Sequence, residues 1–274
     1  MSARDRMAQK VKSQRRSLLL PLGAGAVLLS GVIAFYSIGV KPVEIDERGC
    51  PKQSGPVGFT VLLIDTSDTF SPKHQEMLSG FFDDALVHQG AMPIGPEELL
   101  VVYQLTEDPG KTNLLLEVCR PTKDLGDLTW RDGIHKGRSI AERDWREFDE
   151  KFDNPIKSNI VQGQATSPLL ETIGVLAARH APGKLGDQSR RLHFILFSDL
   201  LQHSKRLSHF RDYPVVADLR QSHRDLMADL EGTDVSLYRL ERPKYQVYQT
   251  ADHYYWWTEY VENAGGKIRF QDSI

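Results

Sequence analysis

The chain has 274 residues, 40% of them hydrophobic, enough to bury a real core and to exclude collagen-like, disordered and disulfide-scaffold classes. Its 34 Lys and Arg stand against 37 Asp and Glu, a net charge of −3, so no global basic excess points to nucleic acid. The average hides an asymmetry, because residues 1–16 hold six basic side chains (Arg4, Arg6, Lys10, Lys12, Arg15, Arg16) and one acid, Asp5.

Residues 17–40 follow without a single charge. A helix of about 24 residues, rising 1.5 Å per residue, crosses a hydrocarbon core of roughly 30 Å, so a transmembrane helix is expected here. The apolar core of a cleaved signal peptide would be shorter and would end in an A-x-A-like site, which is missing. Pro21 falls in the first turn, where a lost N–H is tolerated. The basic flank places the amino terminus in the cytoplasm by the positive-inside rule, and the rest of the chain on the periplasmic or extracellular side. Ala26, Ser30 and Ala34 recur at every fourth position and offer a face for assembly through this helix.

Residues 41–57, rich in Pro, Gly and charge, read as a linker, and residues 58–274 as a globular domain in which strand and helix signals alternate. The run 59–65 has the apolar, β-branched character of a buried parallel strand, and Pro72 opens a helix expected to end at Gly90. Segments 98–105 and 112–119 flank the turn residues 107–111, which suggests an antiparallel hairpin at the sheet edge. Residues 121–160 are polar and charged and read as a surface excursion, with one amphipathic stretch at 140–152.

A helix over 166–180 follows, with Pro168 in its first turn, then a strand over 191–199. A helix near 216–231, a strand over 234–240, a helix near 253–264 and a strand over 267–270 complete the series. Strands alternating with helices define an α/β fold: a doubly wound, mostly parallel sheet with one antiparallel edge strand, Rossmann-like, preceded by a single transmembrane helix. In the penultimate element Trp256, Trp257, Tyr260 and Val261 share one side and are expected to pack against the sheet. The two cysteines, Cys50 and Cys119, suit a disulfide between linker and strand end in an exported domain; unpaired thiols are the alternative that sequence leaves open.

In an open parallel sheet ligands bind beyond the carboxyl ends of the strands. The first strand ends in Asp65-Thr66-Ser67-Asp68-Thr69, Thr166 precedes a helix, and another strand ends in Phe197-Ser198-Asp199. These loops offer hard oxygen donors without sulfur or imidazole, the set preferred by Mg²⁺ or Mn²⁺. Asp68 reads as a solvated loop acid, and His203 and His209 as exposed loop residues.

The order Asp65-x-Ser67-x-Thr69, Thr166, Asp199 resembles the metal-ion-dependent adhesion site of von Willebrand factor type A domains, with the resemblance covering residues 57–272. It implies that Ser67, Thr69 and Thr166 bind the ion directly while Asp65 and Asp199 act mainly through water. Thr69 stands where Ser is usual in that family. Without an ion, the same residues would serve only as loop and helix caps.

Other chemistries lack their residues. A phosphatase of the haloacid dehalogenase type needs a second carboxylate two positions after Asp65, where Ser67 stands, and no phosphate-cradling G-x-x-x-x-G-K-[ST] occurs. The expected function is therefore a membrane-anchored binding module of a bacterial envelope complex, engaging an acidic side chain of a protein partner through the ion. A membrane-tethered metal-dependent phosphohydrolase or nuclease and a metal-free structural scaffold are the alternatives. Replacing Asp65 by Ala is expected to abolish metal-dependent binding and to leave the fold intact.

Overall fold

The computed structural model describes residues 43–86, 94–129, 137–153, 163–180 and 191–273. The basic tail 1–16, the apolar segment 17–40 and the expected helix end at Gly90 lie outside the described residues. Among the described residues no helix is long and apolar enough to cross a membrane.

The chain divides into two compact units. One comprises Met1–Pro42 and Leu125–Ile140; its described part is a 3-10 turn at Leu125–Asp127 with the two residues after it, and the first helical turn after Gly137. The other, Val43–Asp124 with Ala141–Ile274, carries the sheet.

Six strands form that sheet: β1 (Gly58–Ile64), β2 (Glu98–Gln104), β3 (Asn113–Cys119), β4 (Arg191–Ser198), β5 (Thr233–Arg239) and β6 (Lys267–Ser273). Their order is β3-β2-β1-β4-β5-β6, parallel throughout except for β3 on β2. The helices are α1 (Pro72–Leu86), α2 (Gly137–Asp153), α3 (Leu169–His180), α4 (Val216–Ser222) and α5 (Ala251–Asn263). The architecture is thus α/β with one antiparallel edge, and the polar stretch 121–160 contains a full helix.

The sequence of β1 explains why both faces are covered. Successive side chains of a strand point to opposite faces. Val61 and Leu63 join Leu170 and Ile173 of α3 and Trp257 of α5 in one core cluster. Leu62 and Ile64 join Leu78, Phe81 and Phe82 of α1 in the other. A strand buried at every position needs helices on both sides. Trp256, Trp257, Tyr260 and Val261 are buried together on one side of α5.

The linker is folded along much of its length. Cys50 and Cys119 form a disulfide, and the Cys119 N–H donates to the carbonyl of Arg48 at 2.8 Å. Asp46 closes the intervening turn by accepting from the N–H groups of Arg48 and Cys50, both at 2.9 Å. Gly49, at φ +84°, supplies the left-handed residue that this turn requires.

The helix expected over 216–231 is shorter than its sequence pattern suggests. α4 stops at Ser222, a 3-10 turn covers Arg224–Leu226, and an irregular segment then leads through a turn at 231–232 into β5. Leu226, Ala228 and Leu230 are buried at alternate positions, a period of two rather than 3.6. Tyr260 holds this run by donating its hydroxyl to the Leu226 carbonyl at 2.9 Å and accepting the Ala228 N–H at 3.1 Å. Backbone groups satisfied by a side chain no longer need a helix.

β1 pairs with β2 on one side and β4 on the other, and Ile64 stands in register with both Gln104 and Phe197. The strand order reverses at this point, which places a crevice beyond the ends of β1 and β4.

Candidate metal centre at the sheet rim

Asp65 is the first residue past β1 and is buried. Its Oδ1 accepts the Ser67 N–H at 2.9 Å, an Asx turn that bends the loop outward. Its Oδ2 accepts the hydroxyls of Ser198 at 2.7 Å and Ser167 at 3.0 Å. One carboxylate therefore joins three segments of chain. By this geometry Asp65→Ala is expected to cost stability rather than spare the fold, because it takes the acceptor from two buried hydroxyls and from the half-buried Ser67 N–H.

Asp199 follows β4 and is buried as well. Its Oδ1 accepts the Leu201 N–H at 2.9 Å, and its Oδ2 lies 4.0 Å from Nε of Arg242. Burial, with the neighbouring Asp65 charge as the next cause, pushes its pKa up to about 8, against the pull of the Leu201 N–H and Arg242. The next residue, Leu200, has φ +62°, an uncommon conformation for a bulky side chain and a cost of about 1–2 kcal/mol. It is held there by the Ser198 hydroxyl on its N–H at 2.9 Å and by Trp257 Nε1 on its carbonyl at 2.7 Å.

Thr166 sits in a loop fastened from two directions. Gly163 and Gln164 donate their N–H groups to the carbonyls of Thr66 and Ser67 at 3.0 and 2.9 Å. Ser167 and His203 exchange backbone hydrogen bonds, both 2.8 Å. The α3 helix then starts at Leu169 rather than at 166, since Ser167 is bound in this bridge.

The result is a crevice of about 50 Å³ lined by Ser67, Asp68, Thr166, Ser167 and Asp199, with His203, Phe210 and Tyr245 among its walls. A water needs roughly 10–15 Å³ measured this way, so the crevice has room for an ion and a few waters. Of the five residues expected to serve an ion, Ser67, Thr166 and Asp199 line the crevice and Asp65 supports it through Ser67 and Ser167. Thr69 is not brought there. It is exposed and faces a neighbouring cavity, and its carbonyl accepts from Arg242 Nη1.

Three features of the site lay outside the sequence reading. Ser167 and Ser198 bind the Asp65 carboxylate, each adjacent in sequence to a residue that was singled out. Asp68 is no free loop acid: Lys244 Nζ reaches its Oδ1 at 2.5 Å. His209 is buried, not exposed, with its ring against Trp256 and Tyr213 and its Nδ1 2.9 Å from His253 Nε2, while His203 is half-buried on the crevice wall.

Among the described residues no group of three or more His, Cys, Asp or Glu is placed to hold a metal. The donors at the rim are instead hydroxyls backed by two buried carboxylates, a set that fits a hard divalent cation. No family model matches the chain, and no curated protein does either.

Proposed function

We propose that this protein is a membrane-anchored, type A-like binding module that engages an acidic side chain of a protein partner through Mg²⁺ or Mn²⁺. The observation that carries this reading is the convergence of Ser67, Thr166 and Asp199 on one crevice with Asp65 buried behind it. Ser67 and Thr166 would hold the ion by their hydroxyls, and Asp199 by its carboxylate or a water on it. A bound divalent ion would supply the positive charge that draws a carboxylate to this rim.

The residues themselves do the rest. Asp65 orients the Ser67 loop and the Ser167 hydroxyl, so the donors are set before any ligand arrives. Phe210 lies 5.1 Å from Tyr245 and 5.0 Å from Tyr248, and the neighbouring Val247 is exposed. Aromatic side chains are enriched at protein interfaces relative to the rest of the surface. The cytoplasmic tail 1–16, the transmembrane segment 17–40 and an envelope location belong to this proposal on sequence grounds alone.

Isothermal titration of the full chain in detergent with Mn²⁺ tests the centre, and capture of partner with and without chelator tests its use. Saturable binding lost in Ser67→Ala supports the reading; no heat with either ion and chelator-independent capture would refute it. In that event the metal-free scaffold gains ground. It is favoured by Arg242, whose guanidinium stands 4.0 Å from Asp199 and supplies some positive charge of its own.

A further inference from the structure

A second, larger cavity of about 740 Å³ opens beside the crevice and shares Asp68 with it. Its walls come from the loop after β1, the amino end of α1 and the segment after β5. They carry four cationic side chains, Lys73, Arg239, Arg242 and Lys244, against the acids Asp68 and Glu241. The two acids offset only part of this charge, since four cations stand against two carboxylates. Lys244 meets Asp68 at 2.5 Å, but Arg239 Nη2 stands 3.7 Å from Glu241, and Arg242 spends its Nη groups on the main-chain carbonyls of Thr69 and Asp68.

Arg242 is the buried member of the set, with a side chain 7% exposed and an Nε that has no hydrogen-bond partner. A full positive charge so far out of water is costly unless balanced, and its nearest acid oxygen, on Asp199, is 4.0 Å away. The first turn of α1 adds the positive end of a helix dipole on the same wall, with Ser71, Lys73 and His74 lining it. Burial and Arg242 hold the His74 pKa below its usual value, so His74 adds no charge of its own at neutral pH. Positive groups lining a concave, low-dielectric wall focus their field on whatever enters.

We propose that this cavity is a separate binding site for the oxyanion of a small ligand, a phosphate or a carboxylate group. Its volume lies within the roughly 300–1,000 Å³ of small-molecule pockets, and arginine forks and lysines are the side chains that match such oxygens. The attraction comes from the protein's own cations, so the site needs no ion in the neighbouring crevice. Binding at the two sites is therefore separable.

The test is calorimetric titration of the full chain in detergent with inorganic phosphate and, in parallel, with succinate, each with chelator present. Saturable binding of either probe supports the site and assigns its chemistry. Lys73→Gln and Arg239→Gln should each weaken that binding about tenfold, the loss expected of one charged hydrogen bond. Lys73 is exposed, so its variant should melt with the parent, which separates lost binding from lost fold. Three results would overturn the proposal: no saturable heat with either probe, an affinity in both variants equal to that of the parent, or binding that appears only when Mg²⁺ is added and so belongs to the crevice.

Discussion

The hydroxyl of Ser198 donates to the carboxylate of Asp65 at 2.7 Å across 133 positions of sequence. Neither residue lines the crevice; together they tie the two loops that do. The rim is thus held by a buried hydrogen-bonded knot beneath it, and changes to the knot and to the rim should have different effects.

Asp65→Ala should lower unfolding stability by about 3 kcal/mol, since the N–H of Ser67 and the hydroxyls of Ser167 and Ser198 lose their acceptor. Asp65→Asn keeps the shape and part of the accepting capacity, so it should cost less. Urea denaturation of both variants checks this. Equal stability of Asp65→Ala and the parent would show that the knot contributes nothing.

Among the hydroxyl residues the effect on ion binding should split. Ser67→Ala and Thr166→Val should weaken Mn²⁺ binding by about tenfold or more, whereas Thr69→Ala should leave it unchanged, because Thr69 faces the neighbouring cavity. Titration calorimetry on the three variants reads the difference directly. A loss in Thr69→Ala as large as in Ser67→Ala would contradict the placement of that loop.

The disulfide closes a loop with a sequence separation of 69, which the chain-entropy picture values at about 4 kcal/mol. Reduction, or Cys50→Ser with Cys119→Ser, should lower the melting temperature by several degrees and expose the segment 43–57 to protease. Core packing should persist, since both hydrophobic clusters draw on all the central strands. A melting temperature indifferent to reductant would show that the linker contributes no stability.

Acid should destabilise the fold through its buried imidazoles. Burial pushes the pKa of His209 down to about 3, with His253 as a further cause, and burial pushes those of His253, His180 and His193 down to about 4. The groups around the His209–His253 pair are Tyr213, Trp256 and Trp257, with Arg239 also acting on His253. Because the folded values lie below the free value near 6.5, the unfolded chain takes up protons first. The contribution of these imidazoles is then complete above about pH 6.5 and falls as pH drops toward 4, by about 3 kcal/mol for one such group, while Asp199, raised to about 8, acts in the opposite sense. Denaturation midpoints at pH 7.5 and 5 should show this decline, and His253→Gln should flatten it.

The central strands β1, β2 and β4 were legible because each is built around an apolar run, and a strand buried on both faces needs little else to declare itself. The rim could be placed for the same reason, since Asp65 and Asp199 simply follow the ends of such runs. What sequence could not carry is contact at long range. Thr69 is turned outward in a loop held by Arg242, whose Nη1 donates to the Thr69 carbonyl from 173 positions away. Ser167 and Ser198 look like ordinary loop serines until the fold brings them to one carboxylate. His209 reads as a surface residue because nothing near it in sequence announces the tryptophans of α5 that cover it. The helix expected over 216–231 fails at its second half through Tyr260, a side chain that is distant in sequence and close in space.

The bond between Cys50 and Cys119 also has a mechanical side. Tension arriving from the amino-terminal direction meets Cys50 before it meets Gly58, and passes through sulfur into the end of β3 at the margin of the sheet. Residues 51–57 then stay slack. The strand whose end carries Asp65 is then not the first to take the load, because the edge strand β3 receives it.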